Sequence, residues 1–358
     1  MSSLPVFVRK ARAWLAAASP ATKLSVVLGN ESADLDSVAS ALCLAFVRTR
    51  RQQTDEGSPI IPIVNVSRAD LPLRTEVTFV LEKLGIDAGD LVCRDEVDLA
   101  GFAAAQSLDV TLVDHNRLAG HQTFLQPFVT HIVDHHVDEH DFDPSVSTIE
   151  MIGSCSSLVA RQYTVNLDRS KGRTFDTDEA AAALMKPFCD VDADKWFSAI
   201  QEAKFNCAHL TTMQLLRKDY KEIGARKATV GFPAVTMDLQ QLVQKERFLE
   251  DLEEFRCSHH LDLVVIMSTV FAPEFARQLA LYTHASLRAT AWWPAIVEAL
   301  EGNGELQLER LALESPDSLI AYQQHNIKKS RKAVLPFVRS VVEGLAAPPP
   351  TGNDRAST

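Results

Sequence analysis

The sequence predicts an α/β protein: a parallel-sheet domain in the first half, followed by a smaller α+β domain. Two observations carry this reading. Up to Cys189, short β-rich apolar runs alternate with stretches of helical periodicity; from Asp190, helical segments precede isolated strand-like runs. A chain of 358 residues that is 46% hydrophobic and 23% charged is also long enough for two cores of ordinary size.

Taken in order, residues 1–22 form an N-terminal helix or extension. Leu24 to Leu28 (LSVVL) is an apolar strand ending at Gly29, and Val38, Leu42, Ala45 and Phe46 recur at helical spacing within Ser37 to Arg51. Ile60 to Val66 is a second strand, Thr75 to Leu84 a helix, Leu108 to Val113 a third strand and Val129 to Val133 a fourth. Helices at Ser154 to Tyr163 and Asp178 to Met185 complete a domain over 23–189. The second domain, 190–345, carries helices at Lys195 to Phe205 and Thr211 to Tyr220, and strands at Ala234 to Leu239 and Leu261 to Val270. The charged helical stretch Gln240 to Arg256 separates those strands, and Arg331 to Leu345 is the last helix. The tail 346–358 (AAPPPTGNDRAST) is too rich in Pro, Gly and small polar residues to pack.

Composition narrows the function classes. A formal net charge of -11 argues against wholesale nucleic-acid binding, which calls for a basic face. No apolar run approaches the roughly 20 residues that span a bilayer, so no membrane association is expected. The six cysteines lie far apart, without a C-x-x-C pair, as in a reducing compartment. A cytoplasmic protein is expected; the acid-free segment Met1 to Asn30, with Arg9, Lys10, Arg12 and Lys23, also fits a mitochondrial presequence.

Three acidic clusters each follow a predicted strand: Asp34 and Asp36 after LSVVL, Asp114-His115-Asn116 after LDVTLV, and Asp134-His135-His136 after THIV. Parallel neighbouring strands would bring these loops to one sheet edge, where bare carboxylates would repel unless cations lay among them. Each cluster alone has a plainer explanation, since a D-x-D pair opening a helix is commonly a cap or a dipole partner. All three at successive strand ends point to a metal site, and carboxylates with imidazole suit manganese, magnesium or cobalt better than zinc.

GNESADLDS (Gly29 to Ser37), LVDHN (Leu112 to Asn116), IVDHH (Ile132 to His136) and GSCSSLV (Gly153 to Val159) resemble the DHH phosphoesterase superfamily. Within it the chain looks like the eukaryotic exopolyphosphatase and Prune branch, which is related to family II inorganic pyrophosphatases. AKFN with LTTMQLLRKDYKEI (Ala203 to Asn206, Leu210 to Ile223) and SRKAVLP (Ser330 to Pro336) resemble its DHH-associated second domain. The resemblance implies an active site in the interdomain cleft, with two divalent ions, Mn2+ or Mg2+ (Co2+ also fits). Asp34 would hold one ion, Asp36 the other and Asp114 both; His135 would complete the second site, with Asp134 orienting its ring. His136, His115 and Asn116 would touch substrate phosphate. Lys221, Arg331 and Lys332 would supply cations from the second domain. Two ions about 3.5 to 4 Å apart acidify a bridging water for in-line attack.

Two departures matter. Asn30 stands where pyrophosphatases of the superfamily carry a histidine, which shifts the expected substrate from diphosphate toward linear polyphosphate. The stretch LMKPFCDVDADKWF (Leu184 to Phe197) is shorter than the family pattern, leaving Asp190 as the candidate fourth aspartate and Asp192 as runner-up. The expected activity is removal of terminal orthophosphate from inorganic polyphosphate. The alternatives are hydrolysis of diphosphate or a cyclic nucleotide, or a catalytically weak Prune-like interaction protein.

Overall fold

A computed structural model of the protein describes residues 3–51, 60–164, 192–225, 228–271, 274–290, 292–313 and 319–345. The chain divides into two compact units, Met1–Lys204 and Phe205–Thr358.

The first unit runs α1 (Leu4–Ala17), β1 (Leu24–Leu28), α2 (Leu35–Arg51), β2 (Ile61–Val64), α3 (Thr75–Lys83) and β3 (Val92–Cys93). It continues with α4 (Leu99–Ala104), β4 (Leu108–Val113), β5 (Val129–Asp134), β6 (Ser147–Ile149) and α5 (Cys155–Thr164). Its six strands lie in the order β3-β2-β1-β4-β5-β6, and every neighbouring pair is parallel. Because β1 and β4 are central, Val26, Val27, Leu28, Val110, Leu112 and Val113 are all buried, and such strands read as apolar runs without alternation. The strand order reverses between β1 and β4, so the crevice at their carboxyl ends is where an open parallel sheet binds its ligands. The three acidic motifs leave β1, β4 and β5, three consecutive strands across that point.

Helix α6 (Ala193–Phe205) lies almost wholly in this unit, although the sequence pattern assigns it to the second domain. Trp196 packs its ring 6.3 Å from Phe79 of α3, and the carbonyl of Lys204 accepts a bond from Thr75 Oγ1 at 3.2 Å.

The second unit comprises α7 (Thr212–Lys218), β7 (Tyr220–Ala225), β8 (Ala228–Val235), α8 (Leu239–Val243), α9 (Phe248–Ser258) and β9 (Leu263–Val270). β10 (Ala276–Tyr282), α10 (Ala285–Arg288), α11 (Trp292–Glu301), β11 (Leu308–Leu311), β12 (Leu319–Gln324) and α12 (Arg331–Gly344) follow. The sheet order is β11-β12-β10-β9-β8-β7, with β8 and β9 parallel and the other pairs antiparallel. Both faces are covered. Leu263, Val265 and Met267 join the core that includes Trp292, Ile296, Val334 and Val338; Val264 and Ile266 join the one with Leu242, Leu252 and Phe255. The helix expected to reach Tyr220 stops at Lys218, and Tyr220 opens the edge strand β7, so Lys221 sits exposed on that strand. The expected helix Asp178 to Met185, Asp190 and the tail 346–358 lie outside the described residues. Among the described residues no helix is long and apolar enough to cross a membrane.

Candidate metal centre

The loop after β1 is built to bring α2 in close. A Cβ on Gly29 would lie 2.4 Å from Ser37 Oγ, and that hydroxyl accepts the backbone N–H of Asn30 at 2.8 Å. Asp34 is the residue before α2, and its Oδ1 accepts the N–H of Ser37 at 3.1 Å while Oδ2 accepts from Ser32 Oγ at 3.2 Å. Its carboxylate therefore caps the helix. Asp36, within the first turn of α2, is held differently: the N–H groups of Cys155 and Ser156 at the start of α5 donate to its two oxygens at 2.8 and 2.7 Å. A carboxylate on a helix N-terminus also meets the positive end of the helix dipole.

Asp114 follows β4 in the left-handed backbone region, φ 62°, and Ala33 does the same beside Asp34, φ 44°. Non-glycine residues there cost of order 1–2 kcal/mol each, strain that folded proteins concentrate at functional loops. Asp114 Oδ2 accepts from Asn30 Nδ2 at 2.8 Å; Oδ1 is buried with no hydrogen-bond partner. That orphaned oxygen lies 3.2 Å from His135 Nε2 and 3.9 Å from His136 Nδ1, and His135 Nε2 is 3.6 Å from Asp36 Oδ2. The other nitrogen of His135, Nδ1, lies 3.0 Å from the carbonyl of Ile152, so it donates there and Nε2 keeps its lone pair among the carboxylates. Burial, then the charges of Asp36 and Asp34, push the Asp114 carboxyl up to about 7, only partly offset by the two imidazoles. A cation is what this donor set lacks: a buried carboxylate oxygen without a proton donor faces an imidazole lone pair.

Ligand atoms of Asp114, His135 and His136 all fall within 4.8 Å of one another, a group able to hold a metal ion. Asp36 stands beside it through His135. Asp34 is not in that group, and the helix-capping role is the one its hydrogen bonds describe.

The remaining candidates are placed as follows. Asp134, fully buried, accepts the N–H of His135 at 2.7 Å and pairs with His136 Nδ1 at 2.8 Å; the ring it orients is that of His136, because the Ile152 carbonyl already holds His135. Burial lowers the His136 pKa, but the Asp134 bond and the charges of Asp134, Asp114 and Asp34 outweigh it and raise the net value. Asn116, read from sequence as a phosphate contact, is buried: its Nδ2 donates to Asp134 Oδ2 and the Val137 carbonyl, and its Oδ1 accepts the N–H of Glu139. Every polar atom of that side chain is committed to joining the two motif loops. His115 Nδ1 lies 2.9 Å from the Val113 carbonyl, and burial pushes its pKa down against that bond and the charges of Asp134 and Glu31. Its Nε2 is buried without a partner, so it too is withdrawn from substrate. Asp192 is exposed, accepts the N–H of Lys195 and pairs with its ammonium at 3.5 Å, which leaves it as a cap for α6. In the second unit, Arg331 donates to the Asp219 and Phe232 carbonyls and pairs with Asp219 Oδ1 at 2.6 Å, fixing the start of α12; Lys332 is exposed beside it.

Sequence reasoning did not find the Ile152 carbonyl or the Cys155 and Ser156 amides. The small residues of GSCSSLV were the available signal, since only a tight turn into a helix presents two free N–H groups to one carboxylate.

Comparison with known proteins decides the family. Exopolyphosphatase PRUNE1 of Bos taurus is 34% identical, over 91% of this chain and 77% of the relative. The chain belongs to the exopolyphosphatase and Prune branch of the DHH phosphoesterases. A DHHA2 domain model matches residues 198–341 of this DHH phosphoesterase. A putative exopolyphosphatase of Schizosaccharomyces pombe is 30% identical over 92% of the chain and 94% of the relative. A manganese-dependent inorganic pyrophosphatase of Methanothrix thermoacetophila is 26% identical over 73% and 86%.

Proposed function

We propose that the protein is a metal-dependent exopolyphosphatase that releases orthophosphate from the end of inorganic polyphosphate. The observation that carries this reading is the buried, unpartnered Asp114 Oδ1 lying 3.2 Å from a His135 Nε2 whose tautomer is set by Ile152. The similarity to named exopolyphosphatases supplies the reaction class.

Asp36, Asp114 and His135 would hold divalent ions, Mn2+ or Mg2+, with Asp34 and His136 at the margin and Asp190 as a further ligand. Such ions, when bound, supply Lewis acidity toward a phosphate oxygen and acidify water. The chain's own groups do the rest. Asn30 Nδ2 fixes one oxygen of Asp114, leaving the other for the cation. Asp134 keeps Nδ1 of His136 as a donor and raises the ring's pKa, favouring the protonated ring, which suits a phosphate oxygen through Nε2. Lys221 and Lys332 are the second-unit cations proposed to contact phosphate, with Arg331 holding the SRK segment in place through Asp219. Asparagine at position 30, in place of a stronger imidazole ligand, favours a longer, more highly charged substrate over diphosphate.

The test is release of orthophosphate or AMP by purified protein with Mn2+ or Mg2+ from diphosphate, a polyphosphate length series and cyclic AMP. Metal-dependent release from polyphosphate is expected, lost in Asp114→Asn. Release from diphosphate alone would overturn the substrate, and no release from any would overturn the enzyme.

A further inference from the structure

The carboxyl edge of the first sheet carries charge unevenly along its length. Beyond β5, the segment after the DHH motif holds Asp138, Glu139, Asp141 and Asp143, and Arg117, the cation there, is paired to Glu139 at 3.3 Å and Asp141 at 3.6 Å. On the opposite side, toward β3, Arg94 and His121 meet over the loop of the first motif. Arg94 follows β3 directly, and one of its terminal nitrogens lies 3.3 Å from His121 Nε2. Both share one carboxylate, Glu31 Oε1, each at 3.5 Å.

That arrangement is held rigidly but satisfied poorly. Gln122, next to His121, is buried in a reciprocal amide pair with Asn65 at 2.8 and 3.4 Å, and Asn65 also donates to the Gly29 carbonyl at 2.8 Å. His121 is thereby fixed beside the loop that begins at Gly29. Glu31 lies between Asn30, which touches Asp114, and Ser32, whose hydroxyl donates to Asn30 and Asp34. Yet 3.5 Å is at the outer limit of a hydrogen bond, and two basic side chains divide one carboxylate. The contrast with Glu96 is direct: two residues from Arg94, that carboxylate takes paired bonds from Arg12 and Arg68 at 2.6–3.2 Å. Arg94, His121 and Glu31 are also one-third to more than half exposed, so an incoming anion reaches them.

Resting on the exopolyphosphatase reading, we propose that Arg94 and His121 form a subsite for the polyphosphate chain behind the reacting phosphate, with Glu31 as a displaceable counter-ion. A polyanion anchored at Asp114 and His135 meets repulsion toward β6 and, toward β3, the loosely held Arg94 guanidinium with the His121 ring beside it, so its trailing phosphates run to the β3 side. Guanidinium offers forked donors to phosphate oxygens there, and Glu31 gives way because its two long contacts cost little to break.

The experiment compares the full-length parent with an Arg94→Ala/His121→Ala protein and with Glu31→Gln, using tripolyphosphate and long-chain polyphosphate with Mn2+. The double variant is expected to raise KM for the long chain about tenfold, the loss of charged hydrogen bonds, while KM for tripolyphosphate moves less than about twofold. Glu31→Gln is expected to lower KM for the long chain alone. Calorimetric binding of the same two polymers to the Mn2+-loaded proteins runs in parallel. Length-dependent weakening of binding upholds the subsite even if the parent releases no orthophosphate, an outcome that would sink the hydrolytic reading alone. Equal effects on both lengths, or none, overturn the subsite.

Discussion

Asp114→Asn should stabilise the metal-free protein while abolishing its activity. The Asp114 side chain is 2% exposed, and its carboxyl is pushed up to about 7 from an ordinary 3.8 by burial and by Asp36 and Asp34. Below pH about 3.8 both folded and unfolded chains carry the proton and nothing is lost. Between there and pH about 7 the unfolded chain ionises while the folded one resists, so stability falls as pH rises, then levels off. Three units at about 1.4 kcal/mol each give a penalty of about 4 kcal/mol at pH 8 and less than half of that at pH 5. An amide in this place carries no charge. Its oxygen can accept from Asn30 as Oδ2 does now, and its nitrogen, standing at Oδ1, would donate to the His135 Nε2 lone pair 3.2 Å away. Thermal and urea unfolding of chelator-treated parent and variant at both pH values is the assay. The advantage of the variant should grow by about 2 to 3 kcal/mol from pH 5 to pH 8, and saturating Mn2+ should favour the parent. A variant less stable than the parent at pH 8 without metal, or a difference that ignores pH, refutes the reasoning.

Other consequences are as direct. Burial opposes ionisation of Glu96, but bonds from Arg12, Arg68 and the Cys93 N–H hold it down at about 2, so its contribution is present above pH about 4.5 and lost as pH falls toward 2. Acid titration of Glu96→Gln should therefore show a shallower stability loss over that window than the parent. Gly29→Ala forces its new methyl to within 2.4 Å of Ser37 Oγ, which should cost about 1–3 kcal/mol in urea unfolding and loosen Asn30 from Asp114. Asp134→Asn should lower activity about 10- to 100-fold and move the alkaline limb of the pH–rate profile to lower pH, because His136 loses the bond that raises its pKa. Ser156→Pro removes one of two N–H donors to Asp36 and should weaken Mn2+ binding measured by calorimetry, with little change in helix content.

The first sheet was legible because its central strands are short apolar runs with acidic residues at their carboxyl ends, and a parallel sheet brings such ends together. The second unit was read less well. ARQLALY and LIAYQQ each bury both faces of a strand, and LERL is a half-exposed edge, so none offers the alternation that identifies a strand. Within the site, residue type identified the carboxylates and imidazoles but not their division of labour. Asn116 and Arg331 look like phosphate contacts as side chains, yet the folded chain spends them on Asp134 and Asp219. The tie that sets His135 comes from a backbone carbonyl, which no side-chain pattern announces.

The central claim is that Asp36, Asp114 and His135 hold the cation on which phosphoanhydride hydrolysis depends. Mn2+ binding by calorimetry and orthophosphate release from polyphosphate, measured on the same samples of parent and His135→Ala protein, test it most directly. Release by the parent should rise in step with Mn2+ occupancy, and the variant should lose both together. Parent-level release by a variant that no longer binds Mn2+, or by chelator-treated parent, would contradict the account.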